Sequence, residues 1–307
     1  MQKFIDLHMH SVHSDGMLEL EQIIKKAKKE NFSIMSLTDH NTISGVEKMI
    51  ELGKKNKIKV ISGIEFYTFF QDKKLHVLGY NFDLKNKELN NLISQAQKRH
   101  FDWAIETLRK MRKIGFKINF NELNKFKSKY LGFIHLKNIL MKNQENRKKI
   151  IKDLKLKQRA KLMKIKKIPK PNLFEVINYY FAKDKLGFVS NEHLKISTPL
   201  AIKTILKANG IPVLAHPGQQ LSFEDDKMIV KLKQEGLKGI EAITPYHTWH
   251  QIEHYQKLAN DLNLIITFGT DFHGDLIDLS LKNQPIKNQW SYFKMLEKNL
   301  NMNFAIK

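Results

Sequence analysis

The chain has 307 residues, a formal net charge of +22 and no cysteine. Its length and a hydrophobic share of 42% allow one large core or two modest ones. Without cysteine, disulfides and thiolate chemistry are excluded, and any metal must sit on His, Asp and Glu. No apolar run reaches membrane-crossing length and no signal-peptide pattern precedes the first strand, so the sequence predicts a cytoplasmic protein with no membrane partner. The positive charge suits phosphate-rich partners. Lysine far outnumbers arginine, however, and Asn, Ile and Phe are abundant, so most of the charge reads as AT-rich coding bias and solvated lysines.

In chain order, Phe4, Ile5 and Leu7 predict a short buried strand, with Asp6, His8 and His10 at alternate positions on one side of it. Two imidazoles at i and i+2 have little structural use at a strand tip, but they can grip one ion. Asp15 follows in a Ser-Asp-Gly turn. Helical spacing runs from Leu18 to Glu30, then a strand from Ser33 to Thr38 ends in Asp39-His40-Asn41. A helix around Ile43–Asn56 leads to a strand over Lys59–Ile64 that ends in Glu65. A fourth strand, near Leu75–Phe82, carries His76 at its start rather than its end.

From residue 86 to 195 the pattern becomes lysine-rich and helical, notably over Leu89–Ile114 and Leu136–Lys167, with Pro169 and Pro171 as breaks. The run from Lys148 to Lys167 reads as a solvated helix face. Alternation then resumes. A helix over Thr198–Asn209 precedes a strand ending in His216-Pro217-Gly218. A helix around Glu224–Gln234 precedes a strand over Gly239–Thr244 that ends in Pro245-Tyr246-His247-Thr248. A helix over His250–Asn260 precedes a last strand, Leu264–Gly269, ending in Thr270-Asp271-Phe272-His273-Gly274.

Strands alternating with helices predict an α/β fold. His8, His10, Asp15, His40, Glu65, His216, Asp271 and His273 lie at or just beyond strand ends, with His76 as the exception. In a parallel barrel such ends converge on one face. Six histidines and three carboxylates exceed the needs of one ion and suit two to three divalent cations, of which Glu65 can bridge two. The sulfur-free N/O set favours Mn²⁺, Zn²⁺ or Fe²⁺.

These motifs resemble the PHP family, named for polymerase and histidinol phosphatase domains. The resemblance rests on His-x-His with Ser-Asp-Gly, Thr38-Asp39-His40-Asn41, Gly63-Ile64-Glu65, Ala215-His216-Pro217-Gly218 and Gly269-Thr270-Asp271-Phe272-His273-Gly274. It implies a distorted (β/α)7 TIM-like barrel over residues 1–85 and 196–307, with a lid-like helical insertion over 86–195. It also implies a trinuclear centre: His8, His10, Glu65 and Asp271 on one metal, Glu65, His76 and His216 on a second, and Asp15, His40 and His273 on a third. The insertion and the Tyr246-His247-Thr248 segment look like the branch of small phosphoesterases acting on nucleotides or short oligonucleotides. One departure is that the branch's Arg-Pro-His-Ile/Phe-Ala-Arg stretch is here Phe133-Ile134-His135-Leu136-Lys137, which keeps the histidine and loses the arginine.

The expected reaction is hydrolysis of a phosphate monoester, of a small molecule or a nucleotide, by a hydroxide bridging two metals. His247 and His135 are the candidate catalytic residues beyond the ligands, His247 for phosphate binding or leaving-group protonation and His135 for touching the substrate where the insertion folds over the barrel mouth. His13, His100, His193, His250 and His254 are expected at the surface or in supporting positions. Alternatives are a 5′-3′ exonuclease acting on short RNA or DNA, a histidinol-phosphate phosphatase and a metal-binding module without catalysis.

Overall fold

The computed structural model describes residues 4–128 and 130–274. The opening strand β1 (Phe4–Asp6) is followed by α1 (Leu20–Lys29), β2 (Phe32–Leu37), α2 (Val46–Lys55), β3 (Lys59–Phe70), β4 (Lys73–Tyr80) and the long α3 (Lys87–Lys113). Four shorter helices come next: α4 (Phe133–Lys142), α5 (Gln144–Asp153), α6 (Leu156–Leu162) and α7 (Leu173–Val176). The chain then gives β5 (Ile196–Ser197), α8 (Thr198–Lys207), β6 (Ile211–Leu214), α9 (Asp226–Gln234), β7 (Gly239–Ile243), α10 (Trp249–Asp261) and β8 (Ile265–Phe268). None of the described helices is long and apolar enough to cross a membrane.

The strands form one mixed sheet in the order β1-β2-β3-β4-β6-β7-β8, with β5 paired to β3 beside this path. The α/β expectation agrees with this; the closed (β/α)7 barrel does not describe the pairing. Strand β4 runs antiparallel to both β3 and β6. Among the described residues no ladder joins β1 to β8, and both strands are short. A single parallel bridge, Met9 with Phe272, links the segments past their ends. The antiparallel β4 also explains the anomalous position of His76. Its start lies beside the C-terminal half of β3, and His76 faces Tyr67 across the ladder.

Helix packing follows the sequence periodicity. In α1, Leu20, Ile23, Ile24 and Ala27 recur at helical spacing and are all buried, with Met35 and Leu37 of β2 in the same cluster. Strand β3 runs on for twelve residues, so Glu65 sits inside the strand rather than at its end.

The chain divides into two compact units, residues 1–96 with 195–307, and residues 97–194. The first contains the whole sheet; its core includes Leu89, Leu92, Ile93 and Ala96 from the start of α3. The second packs Trp103, Leu108 and Met111 of α3 with Leu136, Ile139, Ile150, Val176 and Phe181. The stretch expected as one helix over Leu136–Lys167 is three helices. Asn143 interrupts it by accepting hydrogen bonds from the amides of Glu145 and Asn146, and Lys155 adopts a left-handed conformation with φ 50°. The lysines of the Lys148–Lys167 run are exposed except Lys149, which is half-buried.

Candidate metal centre

The site grows from buried carboxylates that fix the backbone around it. Asp6, at the end of β1, accepts hydrogen bonds from the Thr270 amide at 3.0 Å, the Thr270 hydroxyl at 2.6 Å and the His8 amide at 3.1 Å. It thereby ties the His8 and Asp271 segments together. Asp39 plays the same part for the Asp15 turn, accepting from the Ser11 amide, the Ser11 hydroxyl and the Ser14 hydroxyl at 2.6–2.7 Å. At Gly269 a side chain would collide with the Cβ of His8 and lie 2.5 Å from the Glu241 carboxylate. Only glycine lets the two segments approach so closely.

The other eight sequence-predicted ligands gather around Glu65 or around its neighbours His10 and His40. Its Oε2 lies 3.2 Å from Nε2 of His8, 3.2 Å from Nε2 of His10 and 3.1 Å from Nδ1 of His40. Its Oε1 lies 2.8 Å from Nδ1 of His76 and 3.2 Å from Nε2 of His216. Asp271 completes a tetrad, with Oδ1 at 3.2 Å from His8 Nε2 and 2.9 Å from His10 Nε2. On the other side of His10, Asp15 lies 3.4 Å from His273 and 3.7 Å from His40. Donor atoms thus converge in the groups His8-His10-Glu65-Asp271, His40-Glu65-His76 and His10-Asp15-His40-His273.

These residues fit cations better than they fit one another. The Nε2 atoms of His8, His10 and His76, Oδ1 of Asp15 and Oε2 of Glu65 are buried and make no hydrogen bond. Such atoms are costly to bury without a partner. An ion with ligands at about 2.0–2.2 Å in tetrahedral array spaces its ligand atoms about 3.3–3.6 Å apart, close to the separations here. Two backbone conformations are also unusual for non-glycine residues, φ 26° at His216 and φ 53° at Asp271. The surrounding hydrogen bonds hold these strained residues in place.

Electrostatics sorts the histidines into two kinds. Burial depresses His40 to about 4 and His76 to about 3, despite the nearby Glu65. Burial also opposes charge on His10, but Asp271 and Glu65 outweigh it and raise the ring to about 10. His8 is raised by Glu241, Glu65 and Asp271, again against burial. The carboxyls of Asp15 and Glu65 are held well below their usual range by the surrounding histidines, against the opposing effect of burial.

Glu241 is the residue that sequence reasoning passed over. It is fully buried in β7, accepts from Nδ1 of His8 at 3.0 Å and accepts from the His216 amide at 2.9 Å. It thereby directs His8 Nε2 toward Glu65 and Asp271. One signal was available: Glu241 is the lone carboxylate in an otherwise apolar five-residue strand.

Both candidate catalytic histidines are engaged by the backbone. Nδ1 of His247 donates to the Ala242 carbonyl at 2.8 Å, while its Nε2 accepts from the Gly218 amide at 2.9 Å. Both nitrogens are engaged, and burial lowers its pKa, so the ring is a neutral brace for the loop after His216. His135 belongs to the second unit, where its Nδ1 accepts from the Gly132 amide at the start of α4 and its ring meets Phe126 edge-on. Of the remaining histidines, His100 is buried in the second unit and donates to the Leu131 carbonyl; the side chain of His193 lies outside the described residues.

The PHP domain family matches residues 6–168, more than half of the chain. The chain belongs to the PHP family. Over 279 residues it is 26% identical to a 5′-3′ exoribonuclease of Haemophilus influenzae, covering 89% of this chain and 91% of that protein. It is 26% identical to a phosphoribosyl 1,2-cyclic phosphate 1,2-diphosphodiesterase of Eggerthella lenta, covering 88% and 94%. It is 21% identical to a 3′,5′-nucleoside bisphosphate phosphatase of Chromobacterium violaceum, covering 88% and 87%. In three dimensions it resembles an amidohydrolase from Chromobacterium violaceum solved with bound sulfate and no metal. That likeness has a TM-score of 0.71 at 21% identity and covers 95% and 96% of the two chains. This PHP protein is a metal-dependent phosphoric ester hydrolase.

Proposed function

We propose that this PHP protein removes phosphate from a nucleotide monoester at a centre of two to three divalent cations, Mn²⁺, Zn²⁺ or Fe²⁺. The observation that carries the reading is Glu65, a buried carboxylate whose two oxygens face two separate groups of histidine donors. His8, His10, Glu65 and Asp271 hold one cation in this reading, Glu65, His76 and His216 a second, and Asp15, His40 and His273 a third. Bound divalent ions supply Lewis-acid activation of water at neutral pH and offset phosphate charge. The protein's share is preorganisation. Glu241 fixes the tautomer of His8, and the Asp271 carbonyl, accepting from Nδ1 of His273 at 2.7 Å, does the same for that ring. His247 positions the loop after His216 through the Gly218 amide.

A second reading, a 5′-3′ exonuclease on short RNA or DNA, is favoured by the exoribonuclease relative, which aligns over nearly the full length of both chains. The test is phosphate and nucleotide release by Mn²⁺-loaded protein. Its panel holds a nucleoside 3′,5′-bisphosphate, mononucleotides, a short 5′-phosphorylated RNA and histidinol phosphate. Selective phosphate release from a nucleotide supports the first reading. Mononucleotides released from RNA support the second, and no release from any substrate overturns both.

A further inference from the structure

The second unit keeps a run of large apolar side chains in water. Helix α6 buries Leu156 and Ala160, and its Arg159 pairs with Glu175 of α7, so the helix is anchored on one side. The chain then turns at Lys164, whose φ of 53° is left-handed. The amides of Met163 and Ile165 donate to the Arg159 and Ala160 carbonyls and hold the turn in place. Pro169 disfavours a return to helix, and Pro171 is buried again. Between these anchors every residue from 161 to 168 is exposed.

This stretch interleaves two chemistries. Lys161, Lys164, Lys166 and Lys167 carry charge. Leu162, Met163, Ile165 and Ile168 carry apolar bulk, with Leu162 83% exposed and Met163 61%. From residue 154 to Phe174, itself 72% exposed, there are eight basic residues and no acidic one. Lysines alone suit a solvated face. Four large apolar side chains kept in water among them do not, because each gains free energy on leaving water.

Charge complementarity selects an anionic surface, and the aliphatic groups select its material. A second copy meeting this stretch through its own would bring the same positive charge and no carboxylate. Single-stranded nucleic acid is held chiefly by aromatic stacking and arginine, whereas Leu, Met and Ile stack poorly on bases. The boundary of an anionic bilayer accepts both chemistries, lysines at the headgroups and aliphatic groups at the acyl chains.

We propose that residues 161–168 form a peripheral docking surface for an anionic lipid bilayer. The four lysines meet the headgroups, and Leu162, Met163, Ile165 and Ile168 enter the acyl boundary. The contact goes beyond the phosphoesterase reading and involves no spanning segment, since no described helix could cross a membrane.

The experiment is co-sedimentation of the full-length protein with vesicles at physiological ionic strength. The vesicles are phosphatidylcholine alone, or equal parts of phosphatidylcholine and phosphatidylglycerol. Binding to the anionic vesicles should be about tenfold tighter or more. Combined Leu162→Ser, Met163→Ser, Ile165→Ser and Ile168→Ser should weaken it about tenfold or more at unchanged net charge. Combined Lys161→Gln, Lys164→Gln, Lys166→Gln and Lys167→Gln should remove the preference for anionic vesicles. All eight side chains are exposed, so both variants should keep a native circular dichroism spectrum. Equal binding of the wild-type protein to both vesicles, or binding to neither, overturns the proposal. Serine-variant binding that matches the wild type also overturns it, because the contact is then diffuse charge. Tighter wild-type binding to an oligouridine than to the vesicles, lost in both variants, assigns the stretch to nucleic acid instead. A dimeric wild type with a monomeric serine variant in sedimentation velocity assigns it to a second copy instead.

Discussion

At the scale of single residues, the centre is a balance between donors that need a cation and a few groups that aim them. Asp271→Ala and His10→Ala should each abolish turnover while far-UV circular dichroism stays native, and near-native rates in either would remove the centre from the chemistry. Glu241→Gln tests the aiming. It keeps the volume but weakens the hold on His8 Nδ1, and metal affinity should drop about 10–100-fold in a chelator competition.

Proton uptake gives a further residue-scale prediction. In the metal-free protein His10, raised to about 10, carries a proton at neutral pH, whereas His40 and His76, near 4 and 3, do not. A cation entering the His8-His10-Glu65-Asp271 group must expel protons, so affinity should rise with pH. Calorimetry in buffers of different ionisation enthalpy should record that release. For stability the sign follows from the raised pKa of His10. The charged ring stabilises the metal-free fold below the unfolded value of 6.5, and this contribution is lost as pH climbs toward about 10. The melting temperature of the metal-free protein should therefore fall across that window relative to the loaded one. A gap that stays constant between pH 6.5 and 10 would contradict the assignment.

At the scale of elements, strand direction and close approach decide what the strand tips can present. Antiparallel β4 brings His76 to Glu65, and Gly269 lets the segment after β8 lie against His8. Gly269→Ala should cost about 1–3 kcal/mol through overpacking. Because the displaced atoms are those of His8 and Glu241, the variant should also lose bound metal, read as a lower midpoint in urea and a lower metal content. Ile23→Ala in α1, remote from the ligands, should cost about 2–5 kcal/mol while leaving metal content intact. Equal metal loss in both variants would mean that general destabilisation, rather than the Gly269 contact, controls the site.

At the scale of the whole molecule, the charge of +22 is spread over exposed lysines, many of them in the Lys148–Lys167 run. Lys→Ala changes at Lys148, Lys152, Lys157 and Lys161 should leave turnover of a small phosphate ester nearly unchanged, since solvated charges contribute little locally. A collapse of that turnover would give the run a direct role. Their effect on an RNA substrate should instead appear as a shallower dependence of affinity on salt.

The candidate metal donors and the α/β alternation were legible in the sequence because each is local. An apolar strand followed by His-x-His, or Asp-x-His before a glycine, leaves the same trace wherever the strands sit in the sheet. Even His76 was legible as a donor, although its place at a strand start looked anomalous until the antiparallel ladder supplied the reason. Tertiary structure alone decided the rest. Glu241 acquires its role only when β7 lies beside His8, and His247 loses its freedom only when the Gly218 amide reaches it. The break of Leu136–Lys167 into three helices follows from a capping asparagine and a left-handed lysine, which helical periodicity does not register. Periodicity records what each residue does to its near neighbours; hydrogen bonds and ring contacts between distant segments form only after the chain has closed on itself.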